Sequence, residues 1–347
     1  MLEIASFVVC PETLGPLRVR DDGLWSERAA RLYPYHRELI FMGYPEKDRA
    51  MISATMEEER EWQGTAEAAT RNLAFLRTSA PQAVDVINLV MPFVSGHDPV
   101  RALELGCGSG WVSWLLAEAG CEVWMCDFEA NSLATGRVFA HPNIGPGRRF
   151  VADARYAPFA DRSFDLVLFK EFVHHVSDYA SLFREANRVL KDEGIMVMME
   201  PVRSVWQTIR EIRHPDPHAG HHITWLDSYL RAIRQTGFEI AYQTAVYQAT
   251  DRGALARALR THASKSVQGM QPPDLVSKIH VRLIGGGSPV VVARKRRHAE
   301  TRARPAIAVI DPASLIVTDE DVEAYKEFPL VLGDASSRLR PLPSPSP

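Results

Sequence analysis

Cysteine is scarce in this sequence. Its four cysteines, Cys10, Cys107, Cys121 and Cys126, fall at spacings that supply neither a disulfide framework nor a four-thiolate metal site. Long hydrophobic runs are missing too: the stretch from Val84 to Val94 is interrupted by Asp85 and Asn88 and is far shorter than the roughly 20 residues of a membrane span. The opening MLEIASFVVC puts Glu3, and no basic residue, ahead of its apolar run, unlike a secretory signal. The expected location is therefore cytoplasmic, with no membrane partner. An excess of one charge is also lacking. At a formal net charge of −3, only a local basic patch could argue for a nucleic-acid partner. What is present is an ordinary globular composition, 46% hydrophobic and 24% charged, in 347 residues, enough for one large domain with attachments.

From about residue 99 short apolar strands alternate with amphipathic helices, the pattern of a parallel sheet covered on both faces. The strands expected are Ala102 to Gly106, Glu122 to Asp127, Arg149 to Val151, Asp165 to Phe169, Ile195 to Glu200, Phe238 to Gln248 and Pro289 to Ala293. Helices are expected over Trp111 to Ala119 and Tyr179 to Leu190; the second aligns Leu182, Phe183, Ala186, Val189 and Leu190 on one face, and Gly194 follows it. Thr224 with Asp227 reads as a capping-box start for a further helix. The chain divides into a segment 1–45, a helical connector 46–98, a main domain 99–296 with an insertion 249–287, and an extension 297–347. The insertion reads as a cover over the sheet edge or a dimer contact, so a homodimer is one expected assembly. The end PLPSPSP has the composition of a disordered tail.

Leu103 to Gly120 reads LELGCGSGWVSWLLAEAG: a strand, three alternating glycines, then a helix. Glycines at such a turn let backbone N–H groups and the helix N-terminus approach a ligand closely. A dinucleotide fingerprint, G-x-G-x-x-G, would need its third glycine where Trp111 stands. The spacing E-x-G-x-G-x-G, followed in order by the acid ending CEVWMCD, by Asp153, by FDLVLFKEFVHHV and by LFREANRVLKDEGIMVMMEPV, resembles the class I S-adenosylmethionine-dependent methyltransferases over roughly residues 99 to 295. The resemblance implies an α/β fold: a Rossmann-like, seven-stranded, mostly parallel sheet with helices on both faces, plus a small N-terminal ribbon-like segment and a C-terminal extension. It also implies S-adenosylmethionine as cofactor, held by Glu104, Gly106, Cys107, Gly108 and Gly110, by Asp127 and Phe128 at the ribose, by Asp153 and Ala154 at the adenine, and by Lys170. Cys107 reads as a packing residue, not a nucleophile.

Few catalytic groups are obligatory, since methyl transfer chiefly needs alignment, exclusion of water and, for some acceptors, removal of a proton. His174 and His175, in the loop after the fourth strand of the domain, are the candidate bases. His221, in HPDPHAGHHITW, is a third candidate, and that cluster fits no standard metal spacing, so no metal is expected. Glu171 and Glu200 are further pocket candidates. No N/D-P-P-Y/F motif follows the fourth strand, where FKEF stands, which argues against amino methylation of bases. Residues 7–42 also resemble the zinc ribbon that accompanies several methyltransferases, with Cys10 at one ligand position and Thr13, Ser26 and Ala29 at the other three. One thiol cannot hold zinc. ARKRRHAETRAR, from Ala293 to Arg304, is the local argument for RNA, and reads more simply as a solvated chain end. The expected activity is methyl transfer to a small-molecule or glycan-like acceptor. RNA methylation and a non-catalytic cofactor-binding or scaffolding role are the alternatives.

Overall fold

The computed structural model describes residues 4–50, 52, 66–94, 96, 99–139, 141–205, 208–209, 222–247, 282, 287–299 and 303–340. The chain opens with β1 (Arg18–Arg20), β2 (Gly23–Ser26), β3 (Arg31–His36) and β4 (Leu39–Pro45), a run of antiparallel hairpins. Helix α1 (Ala66–Val94) leads into the alternating part. There β5 (Arg101–Leu105), α2 (Trp111–Glu118), β6 (Glu122–Asp127), α3 (Ala130–Thr135), β7 (Arg149–Ala152), β8 (Phe164–Lys170), α4 (Tyr179–Val189) and β9 (Leu190–Met199) follow one another. α5 (Leu226–Gln235), β10 (Phe238–Tyr247) and β11 (Gly287–Lys295) complete it. All the strands expected from apolar alternation are present. Their spatial order is β7-β6-β5-β8-β9-β11-β10, parallel from β7 to β9 and antiparallel at β11 and β10. This is the Rossmann-like, mostly parallel arrangement that the sequence resemblance implied.

Side chains alternate across the sheet because successive Cβ atoms on a strand point to opposite faces. Ala102, Val123, Met125, Leu166 and Leu168 face a core built with α1, α2 and α3, while Leu103, Trp124, Cys126, Val167 and Phe169 face a second core with α4, α5 and the N-terminal strands. Asp165, buried at the start of β8, accepts from Lys191 Nζ (2.8 and 2.9 Å) and from the backbone N–H of Arg101 (3.0 Å), so β8, β9 and β5 are tied in register. The N-terminal strands do not stand apart from this frame: β4 runs parallel to β7 and extends the same sheet.

Two expectations are corrected. Thr224 and Asp227 do not cap α5; Trp225 is its N-cap with no side-chain bond, Asp227 pairs with Arg282 at 2.8 Å, and burial of Tyr229, Leu230 and Ile233 holds the helix instead. The basic run is only partly a solvated end: Arg296, Arg297 and His298 are exposed, while Lys295 and Arg304 are drawn into the fold. Lys295 is buried with its ammonium on the carbonyl of Leu190, Arg296 pairs with Glu193 and Glu239, and Arg304 pairs with Glu185 at 2.7 Å. Carboxylates therefore face Arg294, Arg296 and Arg304 within this run. The insertion, save residues 282 and 287, and the Pro/Ser end lie outside the described residues. Among the described residues, no helix is long and apolar enough to cross a membrane.

Candidate cofactor site

The turn leaving β5 admits glycine alone at two positions. Gly106 has φ +72° and a Cβ there would stand 1.9 Å from the Phe172 ring; Gly110, at φ +79°, would bring one to 2.6 Å from Met125 Sδ. Either substitution would strain the backbone and collide with its neighbour. Gly110 is the left-handed N-cap of α2, which starts at Trp111. Asp127, at the end of β6, fixes this turn from the side: its Oδ2 accepts the N–H of Gly108 (2.8 Å) and its Oδ1 the N–H of Glu129 (2.9 Å). Glu129 in turn caps α3, accepting from the backbone N–H groups of Asn131 and Ser132.

Above the turn lies a cavity of about 280 Å³. Of the residues proposed from sequence, Glu104, Gly106, Cys107, Gly108, Asp127, Phe128, Lys170 and His175 line it, and Gly110 stands just beneath as the helix cap. Asp153 and Ala154 do not line it. The Asp153 carboxylate is taken by the Arg155 guanidinium at 2.6 Å, which also binds Asp48 at 2.7 Å, and Ala154 is buried. His174 turns away towards Glu200, so the two neighbouring histidines have different surroundings. His221 lies outside the described residues; His222, the described end of that cluster, donates its backbone N–H to the His174 carbonyl at 2.6 Å.

Electrostatics divide the lining groups. Burial pushes the Glu104 carboxyl up to about 8, opposed by hydrogen bonding from Ser113, whose Oγ lies 2.6 Å from Glu104 Oε2. Burial likewise drives the Cys107 thiol well above its ordinary value, with Asp127 adding to it, so the thiol is inert. Lys170 Nζ lies 3.0 Å from Glu171 and about 5 Å from the rings of Phe75 (5.1 Å) and Trp111 (5.0 Å), a cation held between a carboxylate and two aromatic faces. Glu171 occupies the left-handed region at φ +52°, an uncommon conformation for a residue with a side chain, directly on the cavity wall. Among the described lining residues the carboxylates of Asp127, Glu129 and Glu171 outnumber the ammonium of Lys170.

Sequence reasoning missed Asn72, Phe75 and Leu76 of α1, which close one side of the cavity, and Phe328, which reaches it from the C-terminal extension. The periodicity of α1 marked it as a helix, but no motif says which cleft a helix covers. Among the described residues, no cluster of three or more His, Cys, Asp or Glu is arranged to hold a metal ion.

A family profile described as a methyltransferase domain matches residues 103–198, the stretch that holds the glycine turn, Asp127 and the Lys170 loop. The match covers the alternating strands and helices from β5 to β9. The chain is similar to the malonyl-[acyl-carrier protein] O-methyltransferase of Enterobacter lignolyticus, 28% identical over 46% of this chain and 63% of that protein. It is also similar to the demethylmenaquinone methyltransferase of Beutenbergia cavernae, 36% identical over 30% of this chain and 42% of that protein. The chain thus spans less than two thirds of the length of these curated relatives. Among solved structures, a chain of the Haloferax volcanii complex between the Trm112 methyltransferase activator and its methyltransferase-like partner is 17% identical, with TM-score 0.46, covering 74% of this chain and 99% of that one.

Proposed function

We propose that this protein transfers the methyl group of S-adenosylmethionine to a small-molecule or glycan-like acceptor. The carrying observation is that one cavity collects the glycine turn, the Asp127 acid that braces it, and a surplus of carboxylates. S-adenosylmethionine bears a sulfonium and an ammonium against one carboxylate, so a net-negative lining attracts it. When bound, that cofactor supplies an electrophilic methyl carbon whose bond to sulfur breaks as the acceptor lone pair attacks in line.

In this reading Asp127 accepts from the ribose hydroxyls, and the N-terminus of α2 faces the amino-acid end. Phe75, Trp111 and Phe172 exclude water around the reacting centre. His175 is the group of the pair that reaches the acceptor side and takes or directs its proton. His174, held by Glu200, is a positioning residue. The relatives named for malonyl-[acyl-carrier protein] and demethylmenaquinone methylation favour a small acceptor group. The pairing of Arg296 and Arg304 with carboxylates weighs against the RNA alternative.

The N-terminal segment we read as a ribbon that has lost its zinc. Cys10 is buried with its Sγ 3.2 Å from the Tyr33 hydroxyl; burial pushes its thiol up, while Ser26, Thr13 and Tyr33 lower it and leave it lowered overall. The test of function is calorimetry with S-adenosylmethionine, followed by transfer of labelled methyl to a panel of acceptors. Binding with transfer supports the enzyme, binding without transfer the non-catalytic alternative, and absence of binding removes both.

A further inference from the structure

The chain leaves the sheet after β11 and returns along residues 303–340 to the face that carries α1, α2 and α3. β12 (Ile307–Ala308) pairs with β4, opposite Pro45 and Tyr44. Beyond it the backbone is pinned residue by residue. Asn131 Oδ1 accepts the N–H groups of Ile316 (2.9 Å) and Val317 (3.1 Å), and Arg37 donates to the Val317 carbonyl at 2.7 Å. Arg137 pairs with Asp319 at 3.0 Å, at the start of α6 (Asp319–Glu323). α7 (Phe328–Ser336) then packs on α1, and past its end Asn88 bonds the backbone of Arg338 (2.9 Å) and Arg340 (2.8 Å).

Two features of this strap meet the cofactor site. Phe328, 2% exposed and packed against Tyr325 (ring centroids 4.8 Å apart), lines the same cavity as Asp127, Phe128 and Ser132. Asn131 is itself a link, since its Nδ2 donates to Glu129 Oε1 at 2.8 Å and the N–H of Glu129 donates to Asp127. A continuous path of hydrogen bonds thus runs from the strap backbone through Asn131 and Glu129 to the acid that braces the glycine turn.

We infer that residues 303–340 complete the cofactor site: Phe328 is an apolar wall against the adenosyl half of the ligand, and Asn131 couples the seating of the strap to the geometry of Asp127. The inference rests on the proposed S-adenosylmethionine reading and adds a binding element outside the matched methyltransferase domain. An aromatic wall in a mostly apolar pocket contributes through contact with the ligand's ring and sugar, so it serves every ligand with that half in common.

The test is calorimetry on the full-length protein, wild type and Phe328→Ala, Phe328→Leu and Asn131→Ala, with S-adenosylmethionine, its demethylated product and 5′-methylthioadenosine as probes. Phe328→Ala is expected to raise Kd about five- to tenfold, and by a similar factor for all three probes because the adenosyl half is common to them. Asn131→Ala is expected to raise it about threefold or more. Should Phe328→Ala lower the melting temperature too far to stay folded, Phe328→Leu, which refills most of the volume, decides the matter with an intermediate loss. Wild-type affinity in the folded Phe328 and Asn131 variants would overturn the strap's role while leaving the cofactor assignment intact. No binding to the wild type would remove the cofactor assignment and this inference with it.

Discussion

The Glu200 carboxylate and the His174 imidazole stand 2.8 Å apart, Oε2 to Nδ1, with Glu200 fully buried. The other oxygen of that carboxylate accepts the backbone N–H groups of Phe172 (2.5 Å) and Val173 (2.7 Å). One side chain at the end of β9 therefore clamps the whole turn that follows β8. A buried carboxylate with three donors is replaced by nothing in Glu200→Ala, leaving those donors unpaired. The expected loss of stability is on the order of 3–5 kcal/mol. Urea unfolding reads it directly; a midpoint equal to wild type would show that the clamp does not hold the turn.

His175 sits on the cavity wall in the same turn, its ring centroid 4.2 Å from that of His174. With the acceptor identified by labelled transfer, His175→Phe is expected to lower kcat by about 10²–10⁴ if the acceptor must give up a proton. S-adenosylmethionine affinity should stay within about twofold of wild type, because the proposed function assigns the imidazole to the acceptor and not to the adenosyl half. Loss of cofactor affinity with unchanged kcat would reverse its role.

The sheet was legible because burial dictates its signal: β6, β8 and the C-terminal half of β9 are buried strands that read as continuous apolar runs. The glycine turn was legible for a related reason, as Gly106 and Gly110 stand where a Cβ has no room. What could not be read was long-range. Asp153 looked like a ligand for adenine, but Arg155, two residues on, folds back onto it, and the sequence does not say which partner wins. The pairing of Arg296 and Arg304 within the Ala293 to Arg304 run was not legible because Glu185, Glu193 and Glu239, their partners, come from three other elements. Phe328 carries no motif at all; only the path of the strap brings it to the site.

Asp127→Ala should weaken S-adenosylmethionine binding by one or two hydrogen bonds to a charged acceptor, about 1.5–3 kcal/mol each, or at least tenfold in Kd. Part of that loss is indirect, since Gly108 and Glu129 lose the acceptor that shapes the turn. Asp127→Asn, which retains one acceptor oxygen, should lose less. Titration calorimetry with the three proteins orders them, and an unchanged constant for the alanine variant would exclude contact between Asp127 and the ribose.

Glu104 gives the fold a pH dependence of a definite sign. Its carboxyl is raised by burial from 4.5 to about 8, so the folded chain holds that proton more tightly than the unfolded chain does. The resulting stabilisation is fully present below the ordinary carboxylate value and is lost as pH rises towards about 8. Glu104→Gln has no such proton to lose. Between pH 5 and 8, melting temperatures of the ligand-free wild type should fall relative to the glutamine variant, and the two curves should run parallel above that window. Parallel curves throughout would mean that Glu104 is ionised in the fold.

The N-terminal segment offers a reconstruction test. In the proposed ribbon, Thr13 and Ser26 both lower the Cys10 thiol and Ala29 donates its backbone N–H to Ser26 Oγ at 3.2 Å, which places the four positions near one another. A tetrahedral thiolate site needs four sulfurs each about 2.3 Å from the metal, a geometry that convergence of this kind brings within reach. The triple variant Thr13→Cys, Ser26→Cys, Ala29→Cys should bind one zinc per chain and melt at a higher temperature with metal than after chelation, since binding to the folded state alone adds its free energy to stability. Adding Cys10→Ser to the triple variant should abolish both effects. The wild-type chain, with one thiol at the site, should carry no stoichiometric zinc there. Zinc found in the wild type and lost with Cys10→Ser would show that the site still holds metal, and a folded triple variant that takes up none would show that these four positions are an ordinary hairpin core.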